Sequence, residues 1–151
     1  MTTPPTLNTQ VIGQAESALG AILKSVLAET GATFEQWLVL NLTAGSGAVI
    51  DRDSLVARIA SARKIDGSVV LTAIAQLITA GMLEPLPGGQ IRVRLTDAGR
   101  ALYKQVRSPI DQITRQLFGD LPADDLATAG RLLAIVTARA NEQLTRLASS
   151  Q

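Results

Sequence analysis

The residues best placed to do chemistry are basic and polar, and they fall in two short stretches. Arg63 and Lys64 precede Asp66-Gly67-Ser68, after which Ser68, Thr72 and Gln76 recur one helical turn apart. Such side chains bond phosphate oxygens and the edges of bases. Further on, Arg92 and Arg94 alternate with Ile91, Val93 and Leu95. If that strand turns its apolar residues inward, both arginines point outward beside Gln90, which suits an anionic duplex. The bland alternatives are a solvated helix face and charges that keep an edge strand from pairing.

Other chemistry is scarce. The chain has no cysteine and no histidine, so thiol nucleophiles, disulfides, Ser-His-Asp triads and the usual transition-metal ligand sets are excluded. Asp51, Asp53, Asp124 and Asp125 stand where helices are expected to start, and there carboxylates meet the helix dipole without any catalytic role. The glycines at 45, 47, 88 and 89 form no phosphate loop, because no Gly-Lys-Ser/Thr follows them. The expectation is a protein without catalysis, metal or cofactor. A net charge of +1 says little about partners, since clustering matters more than the sum.

The elements that must carry these residues read as mainly α with a small β-hairpin. With 151 residues, 46% of them hydrophobic, the chain is expected to form a single domain with one core. A long helix runs from Leu7 to Leu27 and closes at Gly31. Thr33-Phe34-Glu35-Gln36 is a capping box opening a second helix through Trp37, Leu38 and Leu42. Asp51 caps a short helix that stops near Arg63-Lys64, and Asp66 caps the next, with Val70, Ile74 and Leu77 facing inward until Gly81 ends it. Met82-Leu83-Glu84-Pro85 and the stretch Ile91 to Leu95 form the hairpin, with Ile91, Val93 and Leu95 inward. Thr96 caps a helix through Leu102, Val106, Ile110 and Leu117 that Pro109 should bend, and Pro122 starts the last. The polar start lacks a secretory signal and no uninterrupted apolar stretch is long enough to span a bilayer, so a soluble cytoplasmic protein without membrane contact is expected.

From Phe34 to Gly99 this order resembles the MarR family. The likeness rests on the helix opened by Asp66-Gly67-Ser68, its ending Leu77-Ile78-Thr79-Ala80-Gly81-Met82-Leu83, the hairpin, and Leu95-Thr96-Asp97-Ala98-Gly99. It implies a winged helix-turn-helix core at 33–96 flanked by N- and C-terminal dimerisation helices at 7–30 and 97–148. It further implies a homodimeric, ligand-modulated repressor on a pseudo-palindromic double-stranded operator. Ser68, Thr72 and Gln76 would face the major groove with Arg63 and Lys64 meeting phosphate just before them, and Gln90, Arg92 and Arg94 would serve the wing at the minor groove. A small aromatic or phenolic ligand would sit near Trp37, Tyr103 and Phe118, which are otherwise plain core residues. The family's wing tip usually carries an acidic residue and an arginine pair, where Pro87-Gly88-Gly89-Gln90 stand here. A module that has lost DNA binding and serves protein or ligand interaction is the rival reading.

Overall fold

Asn8 begins the first helix, where its side chain accepts from the Val11 backbone N–H at 2.9 Å. The computed structural model describes residues 3–150. In chain order its elements are α1 (Thr9–Thr30), α2 (Phe34–Gly45), β1 (Val49–Asp51), α3 (Arg52–Arg63), α4 (Gly67–Thr79), β2 (Leu83–Leu86), β3 (Arg92–Leu95), α5 (Asp97–Phe118) and α6 (Ala123–Ser149). The chain divides into two compact units, Met1–Asp111 and Gln112–Gln151, with the boundary inside α5. The fold is a winged helix-turn-helix with a small antiparallel sheet, as expected.

The expected caps form. Thr33 Oγ1 accepts from Gln36 N at 3.1 Å, while Gln36 Oε1 accepts from Thr33 N at 3.2 Å. Asp51 takes the Ser54 N–H at 2.9 Å, and Gly81 leaves α4 in the left-handed region at φ 78°.

Three details differ from the sequence reading. The sheet has three strands in the order β1-β3-β2, because Val49–Asp51 pairs with β3 on the side away from β2. Ile91 does not face the core: β3 begins only at Arg92, and Ile91 is 47% exposed while its carbonyl takes the Arg52 N–H. Among the described residues, α1 is the one helix long and apolar enough to cross a membrane, since Glu16, Lys24 and Glu29 are too few to offset its aliphatic residues. Only 11% of its most apolar stretch is buried.

The core of the first unit lies where α2, α3, α4 and the sheet meet. Leu40, Leu55, Ile74, Leu77, Leu83 and Val93 are fully buried there. Each such side chain contributes roughly 1.5–3 kcal/mol through apolar burial. Thr43 is also fully buried, and its hydroxyl donates to the Val39 carbonyl at 2.7 Å, so it carries no desolvation penalty.

Two glycines let backbones close up. A Cβ at Gly67 would stand 3.2 Å from Val56 Cγ1, which sets the tight approach of α4 to α3. At Gly99 it would stand 2.0 Å from the Met82 carbonyl oxygen, so no larger residue fits without backbone movement. The neighbouring Thr96 donates its backbone N–H to that carbonyl at 3.1 Å and its hydroxyl to the Gly81 carbonyl at 2.6 Å. This is the physical content of the Leu-Thr-x-x-Gly pattern.

Candidate nucleic-acid interface

Lys64 makes the turn between α3 and α4, in the left-handed conformation at φ 56°. Asp66 then accepts the Ser68 backbone N–H at 2.8 Å. The Ser68 hydroxyl, and after it that backbone N–H, hold the exposed Asp66 carboxyl below its ordinary value. On α4 the buried face is Val70, Ala73, Ile74 and Leu77, so Ser68, Leu71, Thr72, Ala75 and Gln76 are left exposed. Among them Leu71 is 43% exposed, and the adjoining Val69 is 41% exposed. The outward strip is therefore uncharged and half apolar.

Most of the sequence-predicted contact residues already hold a bond within the chain. The Arg63 guanidinium lies over the Phe34 ring, 4.9 Å from its centroid. Lys64 Nζ donates to the Ser61 carbonyl at 2.8 Å. Thr72 Oγ1 donates to the Ser68 carbonyl at 2.9 Å, which leaves its lone pairs and its methyl outward. Gln76 Oε1 accepts from Gln36 Nε2 at 3.0 Å.

On the wing, Arg92 and Arg94 do point outward while Val93 and Leu95 are buried. They are not equivalent. Glu84 stands opposite Arg94 in the β2–β3 register, and its carboxylate accepts from Arg94 Nε at 2.8 Å and also from Nη2. Arg92 lies opposite Leu86, and its charge is unpaired among the described residues. The Glu84 pairing was open to sequence reasoning, because two outward residues two positions inside a hairpin end meet across the strands. Gln90 stays exposed before β3.

A cleft of about 610 Å³ opens between α2, α3 and α5, all within the first unit. Tyr103 lines it with Asn41, Arg58, Arg63 and Arg107. Trp37 is only 5% exposed and stacks on Tyr103, with centroids 5.7 Å apart and rings inclined by 14°. Phe118 lies in the second unit and is 42% exposed. The arginines of this cleft escaped sequence reasoning because they come from helices far apart in the chain. Arg107 is shared with Asp111, at 2.9 Å.

No family model matches the sequence, and no curated protein matches it. Solved structures do. NadR in complex with 4-hydroxyphenylacetate is 23% identical, with a TM-score of 0.69 over 90% of this chain and 97% of that one. A mutant of MarR from E. coli complexed with operator DNA is 23% identical, with a TM-score of 0.66 over 84% of this chain and 91% of that one. The transcriptional regulator PA4135 is 19% identical, with a TM-score of 0.68 over 89% of this chain and 98% of that one. The chain has the MarR-type winged-helix fold.

Proposed function

We propose that this chain is a cytoplasmic, homodimeric DNA-binding transcription regulator without catalytic activity, and a repressor whose operator affinity falls when a small ligand binds. The observation that carries the reading is the exposed α4 face beside an outward-pointing Arg92, in a fold shared with a MarR structure complexed with operator DNA. The two α4 helices of a dimer would enter successive major grooves of a pseudo-palindromic site, with 33–96 as the binding module. The flanking helices would supply the dimer interface, since Leu19 of α1 and Val136, Leu144 and Leu147 of α6 are exposed apolar residues. That role also accounts for the apolar length of α1 without a membrane.

The cleft between α2, α3 and α5 suits an anionic aromatic ligand. Arg58, Arg63 and Arg107 offer charge-assisted hydrogen bonds to a carboxylate, and Tyr103 offers a ring face. The 4-hydroxyphenylacetate complex of NadR lends the ligand class weight.

A second reading has its own support. The bonded state of Ser68, Thr72, Gln76 and Arg94 leaves fewer free groups for DNA than a typical reader of the major groove, which favours a protein-interaction module. Fluorescence anisotropy against its own upstream intergenic DNA and a scrambled duplex, each across a salt series, separates the two. Preferential binding that weakens steeply with salt is the expected result. Equal or absent binding overturns the regulator reading.

A further inference from the structure

The Gln36 side chain joins two parts of the fold that lie far apart in sequence. It belongs to the capping box of α2, and it also reaches Gln76 on the exposed face of α4. The chemistry of the first contact decides the second. The Thr33 backbone N–H is only a donor, so the Gln36 atom facing it at 3.2 Å must be Oε1. The other end of that amide is therefore Nε2. It lies 3.0 Å from Gln76, whose atom there must be an acceptor, Oε1. The end of the amide that Gln76 turns away from Gln36 is consequently its Nε2, with two N–H donors, while one of the two lone pairs of Oε1 is taken. Turning the Gln76 amide over would set two NH₂ groups against each other and lose this bond, so the helix cap favours the orientation.

We propose that Gln36 is a positioning residue that makes Gln76 lead with its donor end, so that Gln76 favours a keto base, guanine or thymine, over an amino base. The proposal rests on the DNA-binding reading above and names a specificity that reading lacks. Glutamine is usually read as a partner of adenine, because its carbonyl and NH₂ together match N6 and N7. Here one lone pair of that carbonyl is held by Gln36 Nε2, so the amide leads with its NH₂ end and the adenine pairing is disfavoured. Guanine offers O6 and N7 as acceptors and thymine offers O4, whereas cytosine presents only its exocyclic NH₂ and adenine sets an NH₂ beside its single acceptor N7, so each opposes a donor more than a keto base does.

The test compares base preferences of the full-length parent and its variants on a duplex library with a randomised half-site, read by sequencing the bound fraction. Gln36→Glu keeps an acceptor for Thr33 and so keeps the cap, but it has no donor for Gln76. The Gln76 amide must then turn over, and the preference at its position should invert toward adenine or cytosine. Gln76→Glu reaches the same inversion by a separate route, since one carboxylate oxygen takes the Gln36 donor and the other faces the groove. Gln76→Ala should flatten that position alone, by roughly three- to tenfold, the size of one neutral hydrogen bond. The added charge of either glutamate lowers affinity for all duplexes, so the readout is the ratio among bases. If the parent binds selectively but both glutamate variants keep its base preference, or lose affinity evenly across sequences, the positioning role is overturned and the regulator reading stands. If the parent shows no sequence-selective binding, both fall.

Discussion

In α4, Val70, Ala73, Ile74 and Leu77 are each at most 2% exposed, whereas no residue of α6 is buried and Leu144 and Leu147 remain 50% and 63% exposed. Both helices carry an apolar stripe of comparable character. The first finds its cover inside its own unit, on α2, α3 and β2. The second does not, although α6 is more than twice as long. Periodicity thus shows that a helix has a face to bury, but it does not show whether the covering surface belongs to the same chain. The apolar stripe of α4 is covered within its own unit; that of α6 stands exposed among the described residues.

That contrast can be broken most severely in α6. Val136→Asp combined with Leu144→Asp should convert the proposed dimer into single chains in sedimentation velocity while leaving the helical signal of the winged module; a dimer unchanged from the parent's would move the interface elsewhere. In the first unit, Gly99→Ala forces a methyl against the Met82 carbonyl. Urea unfolding should show a loss of roughly 1–3 kcal/mol, toward the upper end because backbone must move. A midpoint equal to the parent's would show that the joint yields.

Smaller effects concern the proposed DNA face. Glu84→Gln removes the carboxylate that neutralises Arg94, so affinity for every duplex should rise and the salt slope should steepen by about one. An unchanged slope would mean that Arg94 never approaches phosphate. The smallest effect belongs to Asp66. Its carboxyl titrates lower in the folded chain than in the unfolded one, so its capping contribution is complete above the ordinary value of 3.8. It is lost as pH falls through the lower folded value. Asp66→Asn, which keeps an acceptor oxygen for Ser68, should flatten that part of the acid-unfolding profile in circular dichroism.

Much of the fold was legible because its signals are local. Thr33 with Gln36, Asp51, Asp66 and Gly81 mark helix ends within a few residues, and the structure places a cap at each. The third strand was not, because Val49–Asp51 is too short to display alternation and its last residue doubles as the α3 cap. Ile91 misled because alternation was carried one residue beyond the point where pairing starts. For the candidate site, the outward direction of Ser68, Thr72, Gln76, Arg92 and Arg94 was legible from helical and strand spacing. What each polar group already bonds was not, since Gln36 meets Gln76 and Arg63 meets Phe34 only once α2 packs beside the helix-turn-helix. Helical spacing alone says which way a side chain points, and tertiary packing says which of its atoms remain free.

The Thr96 junction has a mechanical meaning. Its two bonds tie the exit of α4 to the entry of α5, and the missing Cβ at Gly99 lets that entry press on the Met82 carbonyl with no gap between them. A joint without slack does not absorb rotation. Torque applied to the first turns of α5 would pass to the end of α4 as though through a crank, with little taken up between them.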